Sequence, residues 1–186
     1  MRLLTPHLCV HNVALLSDDW LWEQGIRGII LDLDETLVAF QQSDPPAEIK
    51  TWLERVGTRF QLFIVSNNRR SARVQSIAEP LGLPFLHLAA KPLRGGFRRA
   101  LREMGLSPEQ VVVIGDQLFT DVLGGRRLGA LTVLVHPLSP ERVWHRKWMR
   151  LAEGLCLRSF QNPVHASEWT QTSAQNLEGN HGNETV

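Results

Sequence analysis

The sequence predicts an α/β protein with a five-stranded parallel sheet. Short apolar runs rich in β-branched residues alternate along the chain with stretches of helical periodicity, which is the pattern of βαβ units. The predicted strands are Gly28–Asp34, Gln61–Ser66, Pro84–Leu88, Val111–Gly115 and Leu131–His136. The predicted helices are Pro46–Val56, Arg70–Pro80, Arg94–Met104 and Thr120–Leu128. Each helix has a glycine at or just beyond its end, where glycine commonly stops helices.

The composition is that of a globular protein with one domain of ordinary size. The chain has 186 residues, of which 43% are hydrophobic and 21% are charged, and this length allows a core large enough to fold alone. We expect residues 1–25 to form an N-terminal segment that packs on the core, and residues 26–160 to form the main domain. Residues 161–186 are rich in Ser, Thr, Asn, Gln and Gly, which predicts a disordered tail.

The sequence favours a cytoplasmic protein. No segment approaches the roughly 18–20 apolar residues that cross a membrane, and the first residues lack the apolar core of a signal peptide. The two cysteines, Cys9 and Cys156, lie far apart without metal-ligand spacing, so we expect both to be reduced. We expect any membrane contact to be peripheral, and we expect no nucleic-acid partner.

Polar side chains follow four of the five predicted strands. In chain order the groups are Asp32, Asp34 and Thr36; Ser66, Asn67 and Asn68; Lys91 and Pro92; and Gly115, Asp116 and Asp121. The carboxyl ends of parallel strands meet at one edge of a sheet, which is where open α/β folds bind ligands. Each group alone is compatible with a turn or a helix cap, but four groups in register indicate a functional site.

The residue types in these groups suit phosphoryl transfer. Asp32 and Asp34, one residue apart, are costly to ionise together, and a bound cation relieves that cost. Asp32, Asp116 and the backbone carbonyl of Asp34 offer the oxygen ligands that Mg²⁺ prefers. One carboxylate can attack phosphorus while a second acid, Asp34, moves the proton. Ser66 with nearby N–H groups can hold phosphoryl oxygens, and Lys91 adds positive charge.

Together the four groups resemble the four motifs of the haloacid dehalogenase (HAD) superfamily of phosphatases. The resemblance extends from about Ile26 to Pro137. It implies a Rossmann-like three-layer core in which the five parallel strands, numbered along the chain, lie in the order 3-2-1-4-5. It also implies a Mg²⁺-dependent reaction that passes through an aspartyl-phosphate.

The resemblance assigns a role to each motif residue. It implies that Asp32 is the nucleophile and that Asp34 is the general acid and base. The residues that it implies for phosphate binding are Ser66, Asn67 and Lys91. The metal ligands that it implies are Asp32, Asp34 and Asp116, with Thr36 and Asp121 in support.

A narrower resemblance is to the YqeG-like branch of this superfamily, which includes the mitochondrial and plastid phosphatidylglycerophosphate phosphatases. It rests on Gly25–Gly28, before the first motif, and on Val122–Gly129, after the fourth. This similarity implies that the protein removes phosphate from phosphatidylglycerophosphate to give phosphatidylglycerol. Glu35 departs from the branch pattern, which more often has Asn at that position.

The spacing of the motifs leaves no room for a cap domain over the site. Only 31 residues separate Asp34 from Ser66, and 24 separate Ser66 from Lys91. One helix and one strand of the core occupy each interval, so the chain resembles the capless HAD proteins of subclass III. An open site suits a phosphate carried by something large: a protein, a nucleic acid or a lipid in a membrane.

Basic side chains follow the later motifs. They are Arg69, Arg70, Arg73, Arg94, Arg98, Arg99, Arg102, Arg126 and Arg127. They indicate either attraction to an anionic surface or ordinary solvated helix faces. The segment 141–160 is a predicted helix whose apolar stripe lies among basic residues and consists of Trp144, Trp148, Leu151 and Leu155. Such a helix either lies in a membrane interface or packs on the sheet.

The resulting hypothesis is a capless, Mg²⁺-dependent phosphomonoesterase that acts on phosphatidylglycerophosphate at the cytoplasmic face of a membrane. Among enzymes, the alternative is a phosphatase of a phosphoprotein, a nucleotide or a small phosphorylated metabolite. A different class of function is a non-catalytic module that binds lipid or protein. The complete set of Asp32, Asp34, Lys91 and Asp116 favours the enzyme, because these charges are costly to bury without a use. The sequence leaves the oligomeric state open.

Overall fold

The computed structural model of the protein describes residues 2–139, in which parallel strands form one sheet with helices on both faces. The strands are β1 (Leu8–Val10), β2 (Gly28–Leu31), β3 (Gln61–Val65), β4 (Phe85–Leu86), β5 (Val111–Gly115) and β6 (Leu131–Val135). The α-helices are α1 (Asp18–Glu23), α2 (Ala47–Gly57), α3 (Ser71–Ala78), α4 (Arg94–Met104) and α5 (Leu123–Leu128). Turns of 3₁₀ helix cover Arg2–Leu4, Val13–Leu15 and Pro108–Gln110, and a π-helical turn covers Leu118–Val122. Within this range, none of the helices has the length and apolar composition needed to cross a bilayer.

The strand order across the sheet is β1-β6-β5-β2-β3-β4, and every neighbouring pair is parallel. Strands β2 to β6 are the five predicted strands, and they lie in the predicted order 3-2-1-4-5. The predicted fold class is therefore confirmed, and the sheet has one strand more than expected. The extra strand, β1, is too short to show a periodic pattern, and its pairing with Val133–Val135 is purely tertiary.

Alternate residues of the central strands pack on opposite faces of the sheet. On one face, Ile29 and Leu31 of β2 belong to a buried cluster with side chains of α2 and α3, among them Trp52. On the other face, Ile30 belongs to a cluster with side chains of α4, among them Phe97. A strand covered on both sides is apolar at consecutive positions, and this packing produces the three-layer core.

One helix fills each interval between the first three motifs. Helix α2 lies between β2 and β3, and α3 lies between β3 and β4, so no inserted domain covers the carboxyl edge of the sheet in the described part of the chain. Helices α4 and α5 end where predicted, at Gly105 and Gly129. Both glycines have a left-handed backbone, with φ of 66° and 92°, which glycine adopts without steric cost.

The N-terminal residues pack against the sheet and against α2. Strand β1 extends the sheet beside β6, and the Trp52 indole donates a hydrogen bond to the Leu16 carbonyl oxygen at 3.1 Å. Leu21 of α1 is fully buried. The domain boundaries stay a prediction, because the predicted helix 141–160 and the predicted tail 161–186 lie outside the described residues.

The state of Cys9 corrects one expectation. Cys9 lies in β1, is buried and is disulfide-bonded, so the prediction that both cysteines are reduced is wrong. That prediction depended on the distance between the cysteines along the sequence, which does not determine their distance in the fold. Cys156 lies outside the described residues.

Gly124 tests the packing of α5 against α4. A Cβ at this position would overlap the ring of Phe97, which is fully buried between the helices and the sheet. We expect Gly124→Ala to lower the free energy of unfolding by about 1–3 kcal/mol, because the added methyl group overpacks the core. Urea unfolding followed by circular dichroism measures the change.

Gly95→Ala is the matched control for this substitution. Gly95 lies in the first turn of α4, and a Cβ there meets no atom within 4 Å. Alanine favours a helix over glycine by about 0.5–1 kcal/mol, so this variant is expected to be slightly more stable than the wild type. Equal stability of the two variants would contradict the packing argument.

Candidate active site

The four polar groups lie at the carboxyl ends of four adjacent strands, β5, β2, β3 and β4. Asp32 directly follows β2, and its N–H donates to the Ile114 carbonyl oxygen of β5 at 2.9 Å. Ser66 directly follows β3, Asp116 directly follows β5, and Lys91 lies between β4 and α4. The parallel sheet thus gathers residues that are distant in sequence at one edge.

The Lys91 ammonium group joins two carboxylates. Its Nζ donates to Oδ1 of Asp32 at 2.6 Å and to Oδ1 of Asp121 at 2.7 Å. Only 3% of the lysine side chain is exposed. Charged hydrogen bonds are stronger in so buried a place than at the surface, so Lys91 holds both carboxylates in position.

Asp32, Asp116 and Asp121 form a carboxylate cluster. One oxygen of each residue lies within 4.8 Å of the others. Asp32 and Asp121 share Lys91, whereas both oxygens of Asp116 are buried without a hydrogen-bond donor from residues 2–139. A buried carboxylate without a partner is costly, and this arrangement fits a cation bound at Asp116.

The excess of negative charge in the cluster affects its pKa values. Burial raises the pKa of Asp32 to about 7, against the Lys91 ammonium and with the help of the Asp121 carboxylate. Burial and the charges of Asp32 and Asp121 raise the pKa of Asp116 well above its usual value. Burial lowers the pKa of Lys91, but the carboxylates of Asp121 and Asp32 outweigh it, and the net pKa is raised. A divalent cation with oxygen ligands would neutralise the remaining charge.

The cluster overlaps the predicted metal ligands. It contains Asp32 and Asp116, and it brings Asp121 into the same group, where the sequence predicted only a supporting role. The Asp34 side chain is not part of the cluster, which leaves its backbone carbonyl as the ligand that the sequence suggested. The ligand set itself stays a prediction.

Asp34 is held by two donors from the chain after β3. Asn68 Nδ2 donates to Oδ2 of Asp34 at 2.8 Å. Arg73 donates to Oδ1 from Nε at 3.2 Å and from Nη2 at 2.9 Å. The Asp34 side chain is 32% exposed and that of Asp32 is 8% exposed. The two carboxylates of the first motif therefore have different environments, one inside the cluster and one at its solvent edge.

The second and third motifs are hydrogen-bonded to each other. The Asn67 side chain accepts from the Lys91 N–H at 2.7 Å and donates to the Lys91 carbonyl oxygen at 3.1 Å. The Ser66 hydroxyl accepts from the Asn68 N–H at 3.0 Å. Asn67 thus positions the Lys91 backbone, which the sequence did not reveal, and its part in phosphate binding stays a prediction.

Apolar side chains anchor the loop that carries the first motif. Leu33 and Leu37 are fully buried, and the Leu37 N–H donates to the Leu33 carbonyl oxygen at 3.0 Å. Thr36 is also buried, and its Oγ1 has no hydrogen-bond partner among the residues that the structure describes. This anchoring keeps Asp32 and Asp34 at the edge of the sheet.

Glu35 connects the same loop to the residues after β6. Its carboxylate accepts from the Phe40 N–H at 3.0 Å and from the Ser139 N–H at 2.7 Å, and its carbonyl oxygen accepts from the Leu138 N–H at 3.1 Å. Its backbone is left-handed, with φ 66°. Asn suits a left-handed backbone better, but the longer Glu side chain reaches both N–H groups. The departure from the branch pattern thus has a structural use.

The π-helical turn after β5 positions Asp121. Its Oδ2 accepts from the Gln117 N–H and from the Thr120 hydroxyl, each at 3.2 Å. Gly115 lies directly against it, since a Cβ on Gly115 would overlap the Asp121 carboxylate. The fourth motif therefore needs the glycine for space and the aspartate for its bond to Lys91.

Asn68 and Arg73 are site residues whose contacts the sequence did not reveal. Asn68 belongs to the second motif, and Arg73 is one of the basic residues that follow it. No spacing rule links either residue to Asp34, which lies on another strand end. The sequence feature that could have identified Arg73 as a site residue is its position in the first turn of α3, the helix that follows the second motif.

Comparison with known proteins decides the family. The chain is 37% identical over 171 residues to "Probable phosphatase YqeG" of Bacillus subtilis, which covers 91% of this chain and 98% of that protein. The chain belongs to the YqeG-like branch of the HAD superfamily. Residues 88–137, which contain the third and fourth motifs, also match the family model described as HAD-hydrolase-like. The protein is therefore a HAD-family phosphatase, as the sequence predicted.

Two relatives with lower identity carry a more specific description. Phosphatidylglycerophosphate phosphatase 1, chloroplastic/mitochondrial, of Arabidopsis thaliana is 25% identical over 153 residues, or 74% of this chain and 42% of that protein. Phosphatidylglycerophosphate phosphatase 1, chloroplastic, of Chlamydomonas reinhardtii is 29% identical over 146 residues, or 74% of this chain and 54% of that protein. This chain thus spans about half the length of these two relatives.

Solved structures of HAD proteins share the fold. The cobalt-bound deoxy-D-mannose-octulosonate 8-phosphate phosphatase of Haemophilus influenzae matches with a TM-score of 0.51 at 15% identity, over 79% of this chain and 98% of that chain. A magnesium complex of a HAD family enzyme of Bacteroides thetaiotaomicron matches with a TM-score of 0.50 at 12% identity, over 66% of this chain and 99% of that chain. At these identities the likeness concerns the fold alone.

Asp116 tests whether the carboxylate cluster is built for a cation. Its pKa is raised in the folded protein, so the free energy of unfolding falls as the pH rises from its unfolded pKa to its folded pKa. At pH 8, which is far above the pKa of an unfolded aspartate, the protein has lost this part of its free energy of unfolding. We expect Asp116→Asn to raise the Tm in EDTA, by about 2–4 °C for each kcal/mol regained. We also expect Mg²⁺ to raise the Tm of the wild type and to leave that of Asp116→Asn unchanged.

Asp44→Asn is the control for this prediction, measured by scanning calorimetry under the same conditions. Asp44 is exposed and pairs only with the Lys50 side chain among the described residues, and an exposed pair contributes little stability. Its variant is expected to match the wild type both in EDTA and in Mg²⁺. A lower Tm of Asp116→Asn in EDTA would show that its carboxylate stabilises the fold and would contradict the prediction.

Arg73 is expected to position Asp34 for proton transfer. Removing its two hydrogen bonds in Arg73→Ala frees the Asp34 carboxylate, and hydrogen bonds to charged groups contribute about 1.5–3 kcal/mol. We expect the kcat for p-nitrophenyl phosphate to fall by about tenfold or more, with little change in KM. The kcat of Arg73→Lys is expected to lie between those of the wild type and Arg73→Ala, because lysine keeps the positive charge but cannot donate two hydrogen bonds from a planar guanidinium group.

Arg98→Ala, on the exposed surface of α4, serves as the control for Arg73→Ala. It removes an arginine without touching Asp34, and its kcat is expected to equal that of the wild type. A loss of affinity in Arg73→Ala without loss of kcat would instead assign Arg73 to substrate binding.

Proposed function

We propose that the protein hydrolyses phosphate monoesters through an aspartyl-phosphate on Asp32, with Mg²⁺ as its cofactor. The observation that carries this proposal is the position of Asp32, whose Oδ1 lies 2.6 Å from Lys91 Nζ within the carboxylate cluster. A second carboxylate, Asp34, stands at the solvent edge of the same loop. A nucleophile, a counter-charge and a separate proton carrier are the parts that this reaction needs.

The residues fit a bound Mg²⁺ ion. Asp32 and Asp116, with the backbone carbonyl of Asp34, would hold it, and Asp121 would support the site through Lys91. The unpartnered carboxylate of Asp116 is the observation that favours this set, since Mg²⁺ binds through a few carboxylates together with phosphate and water. When bound, the ion offsets the negative charge between the nucleophile and the phosphoryl group.

The first step transfers the phosphoryl group to the enzyme. An oxygen of Asp32 forms a bond to phosphorus, and the bond between phosphorus and the ester oxygen breaks. Asp34, in its protonated form, gives its proton to the departing oxygen. Lys91 and the hydroxyl of Ser66 stabilise the negative charge on the phosphoryl oxygens, with the backbone at Asn67 in support.

The second step releases phosphate. Asp34, now ionised, takes a proton from a water molecule as the water oxygen bonds to phosphorus. The bond between phosphorus and the Asp32 oxygen breaks, which restores the Asp32 carboxylate and the protonated Asp34. One group thus acts as acid and then as base, and its exposure to solvent lets the water enter.

We propose phosphatidylglycerophosphate as the substrate and phosphatidylglycerol as the product. Two relatives are phosphatidylglycerophosphate phosphatases by name, and the carboxyl edge of the sheet carries no cap domain in the described part of the chain. An open site can accept a phosphate that stays attached to a lipid in a membrane. The enzyme would then work in the cytoplasm, at the membrane surface.

Two alternatives remain open to test. The same open site would accept a phosphoprotein, a nucleotide or a small phosphorylated metabolite. A non-catalytic module that binds lipid or protein would not need a buried lysine shared between two carboxylates beside an unpartnered third. The cluster therefore favours an enzyme over a binding module.

Asp32→Asn is expected to abolish turnover of p-nitrophenyl phosphate in the presence of Mg²⁺, because an amide cannot form the acyl phosphate. Removal of Mg²⁺ with EDTA is expected to have the same effect on the wild type and to be reversed by added Mg²⁺. The Tm of the variant shows whether it is folded. Turnover by folded Asp32→Asn would rule out Asp32 as the nucleophile.

The substrate class follows from a comparison of kcat/KM values for the wild type. The kcat/KM for phosphatidylglycerophosphate in mixed vesicles is expected to be at least about a hundredfold higher than that for a phosphopeptide, a nucleoside monophosphate or a sugar phosphate. This ratio corresponds to roughly 2.8 kcal/mol of transition-state binding. A soluble substrate that equals the lipid would overturn the lipid proposal and leave the phosphatase proposal standing.

A further inference from the structure

Two leucines beside Lys91 are the most exposed large apolar side chains in the described part of the chain. Leu88 is 56% exposed and Leu93 is 61% exposed. A single exposed leucine is common in soluble proteins and needs no explanation. These two leucines, however, lie close together in the chain, on either side of Lys91 in the candidate active site, and a pair at such a place calls for an explanation.

The backbone of this loop is held in a costly conformation. Leu88 has φ 52° and Ala90 has φ 54°, a left-handed region that residues with a Cβ rarely adopt. The Leu88 N–H donates to the Asn68 carbonyl oxygen at 3.2 Å, and the Ala89 N–H donates to the Ser66 carbonyl oxygen at 3.0 Å. The second motif thus fixes the loop that exposes Leu88, and strain of this kind concentrates at functional loops.

Exposed arginines stand beside the leucines. Arg69 and Arg70 follow the second motif, and Arg94 begins α4 directly after Leu93. All three are exposed, and no carboxylate of residues 2–139 pairs with them. Residues 61–102 contain eight basic residues and one acidic residue, so this stretch of the chain carries a net positive charge.

We propose that a docking rim, made of Arg69, Arg70, Leu88, Leu93 and Arg94, binds the surface of an anionic lipid bilayer. The two leucines insert between lipid headgroups, and the arginines contact lipid phosphates. Each cation near an anionic bilayer strengthens binding by about fivefold, and each inserted leucine adds the transfer of its apolar surface out of water. The inference rests on the proposed function and names the surface that would bring the site to its substrate.

The form of the rim favours a bilayer over a protein partner. A stable protein interface buries about 1,200 Å² or more, with a continuous apolar centre. The rim instead has two exposed leucines, which lie on either side of Lys91 in the chain, with Arg94 next to Leu93 in sequence. A bilayer accepts separate apolar side chains together with cations, because headgroups and acyl chains rearrange around each one.

The rim also explains how an open site reaches a lipid phosphate. Lys91 lies between the two leucines in the chain, and the loop that carries them is tied to Ser66 and Asn68. Docking of the leucines would place Lys91 and the carboxylate cluster next to the headgroup layer. The phosphomonoester could then enter the site while the acyl chains stay in the membrane.

The test separates membrane binding from chemistry. Leu88→Asn with Leu93→Gln removes the apolar part of the rim, and asparagine also suits the left-handed backbone at position 88. Arg69→Gln with Arg70→Gln removes two cations. We expect each double variant to bind phosphatidylserine–phosphatidylcholine vesicles at least about tenfold more weakly in sedimentation. We expect both to hydrolyse p-nitrophenyl phosphate at the wild-type rate.

Leu15→Gln and Arg102→Gln are the matched controls. Leu15 is 52% exposed in a turn that packs against α2, and Arg102 is exposed in the last turn of α4, away from the site edge. Both controls are expected to bind vesicles as the wild type does. The wild type is expected to bind pure phosphatidylcholine vesicles weakly. The arginine variant is expected to bind these vesicles as weakly as the wild type does.

Three outcomes would overturn the inference. The first is unchanged vesicle binding by both rim variants, with binding lost instead when the basic residues of 141–160 are replaced. The second is an equal loss of binding in the control variants. The third is a rim variant that loses turnover of a phosphopeptide but keeps binding to vesicles, which would assign the rim to a protein partner. If the wild type fails to hydrolyse p-nitrophenyl phosphate, the proposed function fails, whatever the vesicles show.

Discussion

The site depends on one buried positive charge, the ammonium group of Lys91. Three carboxylates at the edge of a sheet repel one another and lose hydration when buried, and Lys91 offsets part of that cost through Asp32 and Asp121. Because Asn67 holds the Lys91 backbone, the bonds around this lysine connect the loops after β2, β3, β4 and β5. The geometry of the site therefore depends on how those four loops pack together.

The surplus of negative charge is what makes the arrangement chemically useful. The fold leaves Asp116 without a partner among the described residues, which costs stability and fits the cation that we propose binds there. The Asp34 carboxylate, by contrast, accepts hydrogen bonds from Arg73 and Asn68 and lies at the solvent edge of the site. Two aspartates separated by one residue thus have different surroundings, as the different roles proposed for them require, and Asp34 is the more exposed of the two.

The carboxyl edge of the sheet, which no inserted domain covers in residues 2–139, connects the candidate site to the surface. Ser66 and Asn68, from the second motif, bond to the loop that exposes Leu88, so hydrogen bonds connect the loops of the candidate site to the proposed docking rim. Glu35 adds a second connection, from the first motif to Leu138 and Ser139. The chain thus enters the segment after residue 139 from a point that is fixed to the active-site loop.

The sequence pattern by itself determined the parallel sheet, the lack of room for a cap domain between the motifs and the group of motif residues at one edge. Those features follow from local periodicity and from spacing, which a single chain displays directly. The strand order came instead from the resemblance of the four motifs to the HAD superfamily. The tertiary structure decided the edge strand β1, the disulfide state of Cys9, the place of Asp121 in the cluster and the partners of Asp34. Each of these depends on contacts between residues far apart in sequence, such as Arg73 with Asp34, and no local pattern encodes such a distance.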